Sequence, residues 1–261
     1  MNVAFVTLGC KLNYAETSTY ERALLQGGAH IVPWNSPRAE AFVVNTCSVT
    51  EHSDKKSRNI IRKLHRSVPG APIYVTGCSA ELRRTEIEAI EGVKAVFGAG
   101  EKSLLAPTVL GQELPAQTGD IFPAYSSGER TRSFLKVQDG CTFKCNYCTV
   151  PYARGESRNI PICECVRQAR EIAACGIKEI VLTGVNTGDF GRTTGESFLD
   201  LLKALDKVEG ICRYRISSIE PNLLTEEIVD WIASGTKFLP HFHIPLQSGC
   251  DDVLHRMGRR Y

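Results

Sequence analysis

Six of the eleven cysteines in this chain fall into two patterns that could hold metal. The tighter is GCTFKCNYC, where Cys141, Cys145 and Cys148 form Cys-x3-Cys-x2-Cys within eight residues. Three thiolates so close in sequence can wrap one centre. Zinc normally takes four tetrahedral ligands. No histidine lies nearby, so Cys163 or Cys165 would have to be recruited. A [4Fe–4S] cluster held by three cysteines leaves one iron open, which suits a cluster that binds a small molecule. Ferredoxin runs use another spacing and supply a fourth cysteine. A chance run of buried thiols and a zinc site remain as alternatives, and the spacing favours the open iron–sulfur cluster.

The second pattern is dispersed. Cys10, Cys47 and Cys78 each end an apolar, strand-like run: VAFVTLGC, AFVVNTC and PIYVTGC. If these runs are parallel neighbours, the three thiols emerge at one carboxyl edge, where open α/β sheets bind ligands. The plainer alternative is that cysteine, small and often buried, sits at three strand ends by chance. Cys163, Cys165, Cys175, Cys212 and Cys250 show no comparable placement and read as packing residues. In a reducing compartment clustered cysteines point to metal or redox chemistry rather than to disulfides.

The elements that must position these thiols follow from the hydrophobic pattern. Apolar runs alternate with amphipathic stretches, which predicts an α/β fold with parallel strands. In residues 1–100 strands are expected at Val3–Thr7, Ala41–Asn45, Ile73–Thr76 and Ala95–Phe97. Helices are expected at Tyr14–Gln26, Ser53–Arg66 and Leu82–Ala89, giving a doubly wound parallel sheet domain. From 101 to 132 the pattern lapses. Pro107, Gly111, Pro115, Gly119, Pro123 and Gly128 punctuate it as they would a linker, with room for an edge strand or two.

A β-then-α rhythm resumes at 133. Strands are expected at Phe134–Gln138, Glu179–Thr183, Arg213–Ser217 and Phe242–Leu246, with helices at Cys163–Ala174, Phe198–Lys207 and Thr225–Ile232. That order describes the start of a TIM-like (β/α) barrel. Four such units cannot close one, so residues 133–261 read as part of a larger domain. The 261 residues are 43% hydrophobic and 23% charged with a net charge of +2, an ordinary globular composition that neither demands nor excludes nucleic acid. No stretch approaches the ~20 apolar residues of a membrane span, and Met1–Cys10 lacks a basic leader, so a cytoplasmic location is expected.

Taken together, TLGCKLNYAET, VNTCSVT with the following KKSR, YVTGC, FLKVQDGCTFKCNYCTVPYARG, LTGVNTGDFG, RISSIEP, HIPLQSG and LHRMGRRY resemble the methylthiotransferase family of radical S-adenosylmethionine (SAM) enzymes. The resemblance covers nearly the whole chain. GCKLN followed by Glu16 is most similar to the tRNA branch that acts on N6-threonylcarbamoyladenosine beside the anticodon. Two features depart from the family. Cys250 stands where serine is common, and the remaining barrel strands and the RNA-binding TRAM domain that the family would lead one to expect do not fall within these 261 residues.

The resemblance implies two [4Fe–4S] clusters, SAM, a tRNA substrate met at its anticodon loop, a flavodoxin- or ferredoxin-type electron donor and a sulfur donor. It implies no membrane partner. Cys141, Cys145 and Cys148 would hold the catalytic cluster that splits SAM, with Tyr147 as the aromatic residue before the third cysteine. Cys10, Cys47 and Cys78 would hold the cluster that carries the sulfur. The target, an aromatic C–H bond of adenine, is one that no side-chain acid or base can readily ionise, so the radical must come from the cofactor.

Thr183, Gly184 and Asn186 follow the second barrel strand, Ser217, Ser218 and Glu220 the third, and His243 and Gln247 flank the fourth. Polar groups at strand ends could orient SAM or substrate, or simply cap loops and helices. Lys55, Lys56, Arg58, Arg62, Lys63 and Arg66 crowd one expected helix and could meet tRNA phosphates or remain a solvated face. Arg154 and Arg158 are similar candidates. Competing functions are methylthiolation of another tRNA adenosine or of a ribosomal protein, and a non-catalytic iron–sulfur fragment.

Overall fold

A computed structural model describes residues 1–113, 121–128 and 131–261. The chain divides into two compact units. One comprises Met1–Phe122 with Tyr152–Arg154, the other Pro123–Pro151 with Gly155–Tyr261.

The first unit is a five-stranded parallel sheet in the order β2-β1-β3-β4-β5. Its strands are β1 (Asn2–Thr7), β2 (His30–Val32), β3 (Ala41–Thr46), β4 (Ile73–Gly77) and β5 (Val93–Phe97). All of β3 and β4 is buried, as continuous apolar runs in a sheet covered on both faces require. Helix α1 (Lys11–Gln26) and α5 (Leu105–Leu110) cover one face, where Tyr20, Leu24, Leu105 and Val109 pack on Val3, Val43 and Phe97. Helix α2 (Glu51–Ser67), α3 (Cys78–Leu82) and α4 (Arg84–Glu88) cover the other, where Ile61, Leu64 and Ile87 pack on Phe42, Val44 and Val75. Helix α2 starts where Thr50 Oγ1 accepts from Ser53 N at 3.1 Å, and Glu51 and Asp54 in its first turn favour its positive end.

Strand β2 was not anticipated, and the expected helix Leu82–Ala89 is instead two short helices that meet at Arg83. Of the stretch expected to link two domains, Lys102–Leu110 folds into the first unit, and Tyr125 forms an antiparallel bridge with Leu135 in the second. Pro115 and Gly119 lie outside the described residues.

The second unit carries a four-stranded parallel sheet in sequence order: β6 (Arg132–Lys136), β9 (Glu179–Thr183), β10 (Arg213–Ile216) and β11 (Phe238–Phe242). A small antiparallel pair, β7 (Gln138–Asp139) and β8 (Arg158–Asn159), follows β6, with α6 (Val150–Arg154) between its strands. Helices α7 (Ile162–Ala174), α8 (Phe198–Asp206) and α9 (Glu226–Ala233) make the return crossovers, and α10 (Asp251–Arg256) follows β11. Ser197 caps α8 and Thr225 caps α9. The fourth strand lies at Phe238–Phe242, not the expected Phe242–Leu246. Its Pro240 cannot donate to a ladder, but β11 is the last strand of the sheet and tolerates it. No helix among the described residues is long and apolar enough to cross a membrane.

Candidate metal centres

In the first unit, Cys10 follows β1, Cys47 follows β3, and Cys78 opens α3 directly after β4. Strand order reverses between β1 and β3, so Cys10 and Cys47 flank the switch point where doubly wound sheets bind ligands. Backbone packing is tight there. A Cβ on Gly9 would stand 3.0 Å from Cys47 Cβ, and one on Gly77 would stand 2.3 Å from Thr46 O. Both glycines also hold positive φ, +116° and +100°. Thr46 Oγ1 donates to Thr76 O at 2.6 Å and accepts from Ala80 N at 3.1 Å, tying the start of α3 to β3.

Asn13 organises the Cys10 loop. Its Nδ2 donates to Leu8 O, Asn45 Oδ1 and Thr46 O at 2.8–3.0 Å, and its Oδ1 accepts from Cys10 Sγ at 3.4 Å and from Arg154 Nη2 at 2.8 Å. Behind it, Glu16 Oε1 accepts from Lys102 Nζ at 2.6 Å and from Arg154 Nη1 at 3.1 Å. All three charged side chains are buried. Burial pushes the Cys78 thiol up, opposed by the Arg154 and Lys102 charges and reinforced by Cys10 and Glu16. Cys78 therefore lies within electrostatic reach of Cys10 and of this cationic pair.

In the second unit, Gly140 turns the chain out of β7 with φ +71°, and a Cβ there would stand 2.0 Å from Glu156 O. Cys141 N then donates to Gly155 O at 3.0 Å. Phe143 N donates to Cys141 Sγ at 3.4 Å, and Cys148 N to Cys145 O at 3.0 Å. Burial pushes the Cys141 thiol up to about 11, partly offset by the Phe143 N–H and reinforced by Cys148, Cys145 and Asp189. Neighbouring thiols thus add to the cost of ionising Cys141 and Cys148, as they must in one small loop.

Gln138 was not anticipated as a site residue. Fully buried, it holds Val185 N and Asn186 N on its Oε1, both at 2.9 Å, while its Nε2 faces Gly140 O at 2.7 Å and Ser157 Oγ at 3.0 Å. One amide therefore fixes the turn before Cys141 against the loop after β9. Lys136 and Asp139, buried and 2.6 Å apart, brace the same strand end. Lysine and glutamine within the apolar run FLKVQ were the sequence signal for both.

Asn186 is buried, its Oδ1 accepting from Glu220 N at 3.4 Å, while its Nδ2 meets no partner among the described residues. Gly184 packs against Gln138. Thr183 Oγ1 turns back to Val181 O, and Ser217 and Glu220 are buried at the end of β10. Tyr147 is half exposed. Ser218 and Gln247 adopt left-handed φ of 58° and 64°, a strained conformation for side chains other than glycine. His243 and Gln247 are exposed, and His243 O accepts from Ile219 N at 3.1 Å, between Ser218 and Glu220. Asp189 and Arg259 join this site without having been anticipated. Asp189 is within electrostatic reach of Cys141, and Arg259 donates to Cys145 Sγ.

All eleven cysteines are free thiols. Among the described residues no three cysteine, histidine or acidic side chains already form a metal shell. The donor sets nevertheless fit iron–sulfur clusters: each is all thiol and sits on glycine-shaped loops. A polar ligand beside the second set would find the unpartnered Asn186 Nδ2.

Comparison with known proteins places these features among relatives. Residues 2–98 match the family described as "Uncharacterized protein family UPF0004", and residues 135–261 match the radical SAM superfamily. The chain is 38% identical to the threonylcarbamoyladenosine tRNA methylthiotransferase MtaB of Bacillus subtilis, over 99% of this chain and 60% of that protein. It is 36% identical to MtaB of Aquifex aeolicus, over 100% of this chain and 66% of that protein. It thus spans roughly three-fifths of the length of these relatives. In fold it is similar to the radical SAM methyltransferase TsrM from Kitasatospora setae, with a TM-score of 0.66 at 15% identity, covering 100% of this chain and 64% of that one.

Proposed function

The chain belongs to the methylthiotransferase family of radical SAM enzymes, and on that premise we propose that it forms the two cluster-bearing domains of an enzyme adding a 2-methylthio group to N6-threonylcarbamoyladenosine beside the tRNA anticodon. The observation that carries this reading is the pair of separate thiol sets, one at the ends of β1, β3 and β4 in the first unit and one in the loop after β7 in the second.

When bound, the clusters and SAM supply the one-electron chemistry and the sulfur that adenine C–H substitution needs. The protein's part is to hold and orient. Cys141, Cys145 and Cys148 provide three thiolates for one cluster, and Cys10, Cys47 and Cys78 provide three for the other. Gln138 keeps the loop after β9 against the turn before Cys141, so that Asn186 presents its Nδ2 beside Glu220. The Arg154 and Lys102 charges near Cys78 offset part of the cost that burial puts on a thiolate there. A flavodoxin- or ferredoxin-type donor would supply electrons, a separate donor the sulfur, and the reaction would take place in the cytoplasm.

Two measurements test this. Anaerobic reconstitution should load about eight irons per chain, falling to about four when either cysteine trio becomes alanine. Nucleoside analysis of tRNA from cells lacking the gene should show the 2-methylthio form of N6-threonylcarbamoyladenosine lost, with ribosomal proteins unchanged. Zinc uptake, or survival of that nucleoside, would overturn the reading.

A further inference from the structure

The chain's last residues reach back to the cysteine loop of the second unit, and one of them touches a candidate cluster ligand. Arg259 is 114 residues from Cys145 in sequence, yet its Nη1 donates to Cys145 Sγ at 3.3 Å. The same guanidinium pairs with the Glu220 carboxylate through Nη2, and its side chain is only 4% exposed. Its Nη1 also lies 3.4 Å from Tyr147 OH. Nothing in the radical SAM pattern of three cysteines accounts for a buried cation at this point.

The placement is built rather than incidental. Tyr261 OH accepts from Arg259 Nε at 3.2 Å and Nη2 at 3.0 Å, and itself faces Pro245 O at 2.8 Å, which fixes the plane of the fork. The backbone is stitched to the same loop, since Asn146 N donates to Met257 O at 3.0 Å and Asn146 Nδ2 to Arg256 O at 2.7 Å. Gly258, at φ +72°, turns the chain so that Arg259 enters and Arg260 lies over the Phe143 ring at 4.8 Å.

We propose that Arg259 is a positioning residue that donates a charge-assisted hydrogen bond to the Cys145 sulfur and thereby makes the cluster on Cys141, Cys145 and Cys148 easier to reduce. This rests on the radical SAM reading. The physical reason is that reduction adds negative charge to the cluster, and a buried donor carrying a positive charge stabilises that added charge. Hydrogen bonds to the ligating sulfurs are among the levers that set cluster potential. Arginine suits the task because its planar fork can serve the sulfur and Glu220 together, as the compact charge of lysine cannot. Glu220 in turn holds the guanidinium in place.

The test is the midpoint potential and electron paramagnetic resonance spectrum of the reconstituted full chain, with Cys10, Cys47 and Cys78 changed to alanine so that only one cluster reports. Arg259→Gln should shift the potential to more negative values at unchanged iron content, and Arg259→Lys should fall between. Tyr261→Phe, which frees the fork without removing charge, should give a smaller shift in the same direction. It keeps the test open if Arg259→Gln does not load iron. An unchanged potential in iron-loaded Arg259→Gln, or in Tyr261→Phe should that variant alone load, would overturn the proposal. So would weakened SAM binding at an unchanged potential, which would make Arg259 a ligand of SAM instead. Failure of the parent chain to load any cluster would instead refute the family reading beneath it.

Discussion

Lys102 Nζ stands 2.6 Å from Glu16 Oε1 inside the first unit, with the two side chains 5% and 0% exposed. Arg154 Nη1 meets the same oxygen at 3.1 Å, so two cations share one carboxylate. Removing one member of a buried ionic group leaves an uncompensated charge and costs about 3–5 kcal/mol. Glu16→Gln removes the carboxylate that both cations share and is expected at the upper end of that range. Lys102→Met leaves Arg154 on Glu16 and should cost less. Urea unfolding of the two variants checks the order, and equal midpoints would contradict it.

Gly77 tests how closely the strands must approach around Cys78. A Cβ there would stand 2.3 Å from Thr46 O and 2.6 Å from Asn45 Oδ1, at φ +100°. Gly28 holds a similar φ of +84° but opens into space. Left-handed strain alone costs roughly 1–3 kcal/mol, so Gly28→Ala should lose about that much and keep its iron. Gly77→Ala adds a backbone collision beside Cys47 and Cys78. It should lose more stability and about four of the eight irons expected. Full iron loading in Gly77→Ala would show that this glycine does not shape the site.

The metal-free chain should show a stability change in alkali. Burial raises the Cys141 thiol to about 11 from an ordinary value near 9. The folded state then holds this proton more tightly than the unfolded state. Its contribution is complete below about pH 9 and is lost as pH rises to about 11. Partial exposure of the loop weakens the effect through solvent screening. Denaturant midpoints for the parent and Cys141→Ala should therefore converge across that window, and parallel profiles would contradict it. Metal loading runs the other way: ligation needs thiolate, so cluster uptake should quicken as pH rises toward the thiol range.

The sequence made legible what depends on local pattern and left obscure what depends on distant partners. Strands β3 and β4 could be read because each opens on an apolar run, AFVV and IYV. Strand β2 is three residues with an exposed histidine and carries no such signal. The fourth barrel strand contains Pro240, which a local pattern excludes from a central strand, and nothing local says that β11 lies at an edge. The cysteine at each strand end was equally visible. Lys102, in a punctuated stretch, reads as a linker lysine until Glu16, 86 residues away, is seen beneath it. Gln138 and Arg259 escaped for the same reason, since their partners lie 47, 48 and 114 residues away.

The basic helix α2 offers the last prediction, and the structure narrows which of its cations can be tested. Arg58 is half-buried and pairs with Glu86 at 3.5 Å, while Lys63 lies over the Trp34 ring at 4.9 Å. Lys55, Lys56 and Arg62 are exposed. Each phosphate contact releases counterions, so neutralising three of them should lower the slope of log affinity against log salt by about 0.7–0.9 per contact. Changing Lys55, Lys56 and Arg62 to glutamine should therefore weaken tRNA binding most at low salt, leaving stability within about 0.5 kcal/mol of the parent. Filter binding of tRNA across a salt series reads the slope directly. A slope identical to the parent's would leave α2 a solvated face and place the RNA elsewhere.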